Sequence, residues 1–437
     1  MKRVLILSKF IAPVQEIASI RWTKLAKYLK RCGDYELIVL TDEKNFEGRG
    51  GNAFRRDALL EKDLDVFTQY HVFPDGRLLD RYYTLKGRYS DYAKAGGGAA
   101  AQVSGPKQVL YELMHDWKDE LQFRSAVAYL KAHPDLLACD VVISSYGPIW
   151  THLVGEWIKK ARPEILWIAD YRDLLCSDAT PAFTRRYRRS FAERRTSRAE
   201  LVTTVSREMV PALGVPEKQR VLILPNGFDP EEALPPVPPA RFELLYTGTM
   251  HAEGERRSDL KPLFRILREM IDCGELDGED LILRYAGREG RLFAQQAEEC
   301  GLAGCVDDCG LVSREAAAQL RQNCAGLLLS TWNTSREQGV LTGKLFEYIQ
   351  SEKPIFAVCT GEVPHGIVYE ILKDGALGNC VETCREETRA ELHAGLSRAY
   401  RDWKTTGSPG YRPNVDYIRR FTHPFLAEEL HRMIKTL

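Results

Sequence analysis

The sequence of 437 residues carries no net charge, because 61 lysines and arginines are balanced by 61 aspartates and glutamates. A protein built to grip nucleic acid has a basic excess, so zero net charge argues against a dedicated nucleic-acid binder while leaving room for a local basic patch, and no nucleic-acid partner is expected. Long hydrophobic runs are missing too, and all fall well short of the roughly 18–20 residues of a membrane-spanning helix. The first apolar run, Val4 to Leu7, is closed by Ser8 and Lys9. It is too short for a secretion signal and has the length of a buried strand. No two cysteines have C-x-x-C spacing, their total of 11 is odd, and no histidine is placed to complete a zinc site with Cys300, Cys305 and Cys309. They read as small buried hydrophobes of a reducing cytoplasm, and no metal site is expected.

What is present is ordinary in bulk, with 44% hydrophobic and 28% charged residues, and the length suits two or three folded domains. Lys2 to Leu7, a helix over Ile20 to Cys32 ended by Gly33, and Tyr35 to Leu40 read as strand, helix and strand. Asp140 to Ser145, Ile165 to Ala169, Leu201 to Val205 and Val221 to Leu224 continue as buried strands, with a helix over Ile149 to Lys160. Ala93 to Gly105 is a low-complexity loop. Pro230 to Pro239 is proline-dense and marks a stiff boundary. Beyond it the alternation restarts at Phe242 to Thr247, Leu281 to Ala286, Leu327 to Ser330 and Pro354 to Val358. This pattern predicts an α/β protein of two Rossmann-like domains facing a cleft. The expected domains are 1–234 with a C-terminal helix, about 418–437, crossing back to it, and 240–417.

The most informative stretch is Gly339 to Lys353, GVLTGKLFEYIQSEK. Thr342 is expected as N-cap, with helix amides near Gly343 and Lys344 offering partial positive charge and Lys344 a full one. A diphosphate is the natural guest. Glu347, one turn on, is placed as a solvent-exposed carboxylate for two vicinal ribose hydroxyls, replaceable without loss of the fold.

KLFEY followed by KP resembles the C-terminal domain of GT-B glycosyltransferases of the retaining family 4, which use nucleotide-sugar donors. Ile168 to Leu174 (IADYRDL), Pro225 to Asp229 (PNGFD), Tyr246 to Thr249 (YTGT) and Ala286-Gly287 stand in the matching order. The branch that builds bacterial surface polysaccharides is the most similar. The resemblance implies a nucleoside-diphosphate sugar as donor, no other cofactor, and a donor site of Gly248, Thr249, Arg256, Gly287, Gly339, Val340, Leu341, Thr342, Lys344, Leu345 and Glu347. It also implies that Arg257 and Lys261, with Arg256, neutralise the departing diphosphate. Family members often carry a glutamate eight positions before the second one. Here that position is Gly339, and Glu337 lies two residues further back.

In the N-terminal half, His152 and Asp173 are the strand-end candidates for handling the acceptor proton. Glu16, Arg21, Asp170 and Arg172 are the candidates for binding a sugar or lipid-linked saccharide acceptor. Phe183, Tyr187 and Phe191 are spaced as an aromatic core face of a helix whose arginines, Arg185 to Arg198, form either a solvated face or a patch for an anionic membrane. Arg21, Lys24 and Arg31 are expected to help that patch. The expected protein is a cytoplasmic glycosyltransferase, peripheral on the inner membrane face. Two other readings share the fold: a nucleotide-sugar epimerase and a non-catalytic nucleotide-sugar-binding partner.

Overall fold

The computed structural model describes residues 1–14, 16–42, 56–82, 106–176, 180, 182–235, 237–251 and 257–437. The low-complexity loop 93–105 and Arg256 lie outside the described residues. The chain forms two compact units, Met1–Pro225 with His423–Leu437, and Asn226–Thr422.

In the first unit, β1 (Lys2–Leu7), β2 (Tyr35–Asp42), β3 (Gln69–Phe73), β4 (Val141–Ser145), β5 (Leu166–Tyr171), β6 (Leu201–Thr204) and β7 (Val221–Ile223) form one sheet. Their order is β3-β2-β1-β4-β5-β6-β7, and every neighbouring pair is parallel. Val4 to Leu7 are completely buried, as a parallel strand covered on both faces requires. The unit's longer helices are α1 (Ile17–Cys32), α2 (Pro106–Ala132), α3 (Trp150–Ala161), α4 (Ala182–Thr196) and the C-terminal α11 (His423–Thr436). Trp22, Leu25, Ala26 and Leu29 of α1 share one core with Leu426, Leu430 and Ile434 of α11.

In the second unit, β8 (Phe242–Thr247), β9 (Leu281–Ala286), β10 (Val306–Asp308), β11 (Gly326–Trp332), β12 (Ile355–Thr360) and β13 (Gly378–Glu382) run in the order β10-β9-β8-β11-β12-β13. All pairs are again parallel. Its longer helices are α5 (Lys261–Asp272), α6 (Gly290–Glu298), α7 (Arg314–Asn323), α8 (Gly343–Gln350), α9 (Ile367–Asp374) and α10 (Glu387–Thr406).

The break between units falls before Asn226, ahead of the proline-dense stretch where the composition suggested it. The reason is local bonding: Asn226 Nδ2 donates to the Leu341 carbonyl at 3.2 Å, and the Phe228 amide donates to the Phe421 carbonyl at 3.0 Å. The PNGFD segment is thus already part of the second unit.

Counted from its own first strand, each sheet contains the order 3-2-1-4-5-6. In such sheets the chain reverses direction between the first and fourth strands, leaving a crevice at their carboxyl ends where ligands bind. The relevant loops follow β1 and β4 in one unit and β8 and β11 in the other.

Candidate functional site

The second unit's crevice contains the KLFEY helix. Loop β11–α8 delivers Lys344 to the end of β8, where its Nζ sits 3.7 Å from the centroid of the Tyr246 ring and 3.4 Å from the Thr249 carbonyl. Gly248, with φ +86, makes the turn after β8, and its missing side chain leaves Lys344 Cε in van der Waals reach. Gly287 is needed for closeness: a Cβ there would stand 2.5 Å from the Gly248 carbonyl oxygen. The two glycines therefore let loops β8–α5 and β9–α6 abut under the lysine. Burial pushes the Lys344 ammonium down to about 7, against the pull of Glu347 and Glu289. Thr342 stands at the N-cap position of α8, yet its side chain caps no amide. The Leu345 N–H donates to the Thr342 carbonyl at 3.2 Å, and the N–H groups of Gly343 and Lys344 are those left for an incoming anion.

Glu347 differs from its expected state. It is half-buried, with Oε2 3.3 Å from Nη1 of the buried Arg321 and Oε1 4.0 Å from Nε of Arg314. Glu347→Gln is expected to weaken nucleotide binding by about 1.5–3 kcal/mol, the worth of a hydrogen bond to a charged group. Calorimetry on that variant checks the ribose assignment. Glu347→Ala also strips Arg321 of its carboxylate, so its melting temperature should fall, contrary to the expectation of an untouched fold.

Other donor candidates separate on burial. Leu345 is completely buried beneath α8 and anchors the helix, so it is corrected from ligand contact to core. Leu341 is buried, with its carbonyl taken by Asn226, and Val340 is half-buried. Gly339 has φ +71, at the bend that leads towards α8. Glu337 is fully buried and accepts from the Trp332 indole at 2.8 Å, so it fixes the loop rather than facing a sugar. Lys261 opens α5 with its ammonium 3.2 Å from Glu299, a committed pair in place of the free cation expected there. Arg257 is exposed and makes no hydrogen bond or ion pair among the described residues. Tyr348, which the sequence reading passed over, accepts from the Thr247 amide at 2.9 Å and ties α8 to the end of β8.

In the first unit, two acceptor candidates turn out to be each other's partners. Arg21 and Asp170 are 3% and 0% exposed and pair through Nη2–Oδ1 at 2.7 Å and Nε–Oδ2 at 3.2 Å. Trp22 Nε1, Ser145 Oγ and Thr203 Oγ1 donate to the same carboxylate at 2.8, 3.1 and 2.7 Å. Burial works to raise the Asp170 pKa, but Arg21 and these donors outweigh it and hold the carboxyl below the usual range. The pair clamps α1 to β4, β5 and β6, and both residues are corrected from acceptor contact to structural lock. Lys24 is likewise buried against Asp63 at 2.6 Å, so neither it nor Arg21 is available to a membrane. Glu16 is exposed just before α1.

His152 is 2% exposed, bonded through Nδ1 to Ser144 Oγ at 2.8 Å and packed edge-on against Tyr171. Burial pushes its pKa down to about 3, against the pull of Asp170. A ring that stays neutral and walled off does not relay an acceptor proton, and the catalytic assignment is corrected to packing. NMR titration of the imidazole should show a neutral ring from pH 5 to 8, while an inflection near its ordinary value of about 6.5 would restore the catalytic reading.

Arg172 and Asp173 fare differently. Asp173 is exposed, 3.3 Å from Arg172 Nη2. Arg172 donates to the Tyr146 and Gly147 carbonyls and lies over the Phe10 ring at 5.1 Å. Gly147, with φ +97, is required there, since a Cβ would stand 2.7 Å from the guanidinium. Arg172 lines a cavity of about 540 Å³ at this unit's own crevice, floored by the loops after β1 and β4 and walled by α2 and α4. That volume is ordinary for a small-molecule site.

The α4 surface also departs from expectation. Phe183 and Tyr187 are 82% and 49% exposed instead of forming a core face. Arg188 pairs with Asp116, and Arg195 and Arg198 pair with Glu156.

No family model matches the sequence, and neither does any curated protein. Solved structures match over the whole chain. Sucrose-phosphate synthase from Thermosynechococcus elongatus aligns with 14% identity and a TM-score of 0.61, covering 100% of this chain and 99% of the other. The apo form of the lipopolysaccharide outer core galactosyltransferase WaaB aligns at 13% and 0.57, covering 99% of each. The N-terminal domain of trehalose-6-phosphate phosphatase from Candida albicans aligns at 12% and 0.62, covering 100% and 97%.

The fold is GT-B. Within a GT-B chain, the two crevices described above are one in each Rossmann-like unit. No helix among the described residues is long and apolar enough to cross a membrane.

Proposed function

We propose that the protein is a metal-independent glycosyltransferase that moves a sugar from a nucleoside diphosphate to an acceptor hydroxyl. The observation that carries this reading is Lys344, held over Tyr246 at the uncapped start of α8 where loops β8–α5 and β9–α6 meet. A cation and free amides converging on one point suit a diphosphate, and they stabilise the charge that grows as the glycosidic bond breaks. With that counter-charge supplied by the chain, a divalent ion is not needed there. Arg257, and Lys261 once its pair with Glu299 opens, are assigned to the same leaving group.

The motif order similar to family 4 supports retention of the anomeric configuration and a place in surface-polysaccharide synthesis. The sucrose-phosphate synthase and galactosyltransferase likenesses are in keeping with sugar transfer. We further place the enzyme in the cytoplasm, peripheral on the inner membrane face. Exposed Phe183 and Tyr187 beside exposed Arg186, Arg189 and Arg194 on α4 support contact with anionic headgroups.

A thermal-shift series with UDP, GDP, ADP and their sugars tests the donor assignment. One nucleoside diphosphate at about 100 times its Kd should add about 2.7 kcal/mol of stability, and its sugar conjugate should do the same. Equal melting temperatures across the series would overturn the reading.

A further inference from the structure

Glu347 stands between two arginines of a neighbouring helix. Arg314 and Arg321 are two turns apart and so lie on one face of α7. Arg321 brings Nη1 to 3.3 Å from Oε2 of Glu347, and Arg314 brings Nε to 4.0 Å from Oε1. The two arginines are held differently. Arg314 also pairs with Glu232 at 3.3 Å. Arg321 is 5% exposed and donates from Nε to Ser351 Oγ at 3.3 Å. Ser351 is buried at the end of α8, and its hydroxyl donates in turn to the Glu347 carbonyl at 2.8 Å. The guanidinium is therefore anchored to the backbone of the residue whose carboxylate it faces.

An arginine that only neutralises a carboxylate tends to close on it as a two-pronged fork, at about 2.7–2.9 Å. Here each oxygen faces a different guanidinium at longer range, and the Arg321 fork is divided between Glu347 and a serine. A carboxylate has about four lone-pair positions, so charge holds this one in place without spending them. The Glu347 side chain also keeps 23% of its surface open. Two neighbouring hydroxyls, one for each oxygen, match what is left. A glutamate fixed before its ligand arrives loses little further rotamer freedom on binding.

We infer that Arg321, anchored through Ser351, is a positioning residue that aims the Glu347 carboxylate at an intact vicinal diol and so selects ribonucleoside over deoxyribonucleoside diphosphates. The inference rests on the transferase reading and its placement of the donor ribose at Glu347. It adds the residues that set that contact and the class of nucleotide they select. Arg314 supplies charge at the second oxygen but is shared with Glu232.

Calorimetry on the full chain tests this with UDP, GDP and ADP and with their 2′,3′-dideoxy forms, which have no hydroxyl for Glu347 to read. For the nucleotide that binds, the wild type should prefer the ribo form by about tenfold or more, as loss of a hydrogen bond to a charged group implies. Arg321→Gln should cut that preference to about threefold or less, while affinity for the dideoxy form, which shares no contact with the altered group, stays within about twofold of the wild type. Ser351→Ala removes only the anchor and leaves every charge in place. It should lower the preference in the same direction, and it carries the test if Arg321→Gln does not fold. Equal losses for the two forms would make Arg321 a structural residue only, and an unchanged preference in both variants would equally overturn the inference. In either case nucleotide binding remains and the transferase reading stands. A wild type that binds both forms equally would overturn the ribose contact and this inference with it, leaving the diphosphate site intact. No binding of any nucleoside diphosphate would remove the transferase reading as well.

Discussion

Lys344→Met should cost about 10²–10³ in kcat/KM, roughly 2.7–4 kcal/mol, with most of the loss in turnover. The lysine's position explains both the size and the direction of this effect. Its Nζ sits over the Tyr246 ring, a half-buried place where fixed charge acts more strongly than in water. The diphosphate is more negative as a leaving group than as part of the sugar donor, so the cation does more for the transition state than for the bound substrate. Methionine keeps length and apolar contact with Tyr246, which limits structural damage. Steady-state kinetics with the nucleotide sugar identified by thermal shift separates the two parameters. A rise in KM alone would mean that Lys344 only holds the ground state.

Asp170→Ala should lower stability by about 3–5 kcal/mol, because it leaves the buried Arg21 guanidinium without its carboxylate. Four other losses are smaller but point the same way, since Trp22, Ser145, Thr203 and the second Arg21 bond all converge on these two oxygens. Against a typical folding stability of about 5–15 kcal/mol, the variant should stand near the edge of folding. The urea midpoint of unfolding measures it. An unchanged midpoint together with lost sugar transfer would return Asp170 to the acceptor site.

These two residues also illustrate what the sequence reveals and what it hides. The place of Lys344 at a helix start was legible because a strand, a turn with glycine and a helix start lie within a dozen residues, whereas its approach to Tyr246 and Thr249, from a distant stretch of chain, was not. The buried strands β1, β4, β5, β8, β9, β11 and β12 were legible for a similar reason, as apolar runs of strand length. Strand β3, QYHVF, was not, because an edge strand needs apolar residues on only one face and its polar members mask it. The short edge strand β10 and the closing strand β13 were hidden likewise. Helix α1 starts at Ile17 instead of Ile20, since Glu16 gives no side-chain cap to read. Arg21 and Asp170 stand 149 positions apart, and nothing in either local stretch tells a buried partner from a ligand contact. The arginines of α4 pose the same problem, since their counter-charges Asp116 and Glu156 come from other helices. His152 shows the limit for titratable groups, whose roles depend on burial that only the assembled core defines.

The donor assignment has one direct test in proton linkage. In the free protein Lys344 loses its proton around pH 7, and a bound diphosphate stabilises the charged form, so the group's pKa rises on binding. Above pH 7 the free amine is increasingly neutral while the bound one stays charged. Affinity must therefore fall as pH rises, and binding must take up protons. Calorimetry of the stabilising nucleoside diphosphate at pH 8, in two buffers of different ionisation enthalpy, counts them. A terminal phosphate with a pKa near about 6 is already ionised there and adds little. The account predicts uptake approaching about one proton in the wild type and none in Lys344→Met. Binding of equal strength in both proteins, with no proton uptake in either, would contradict it.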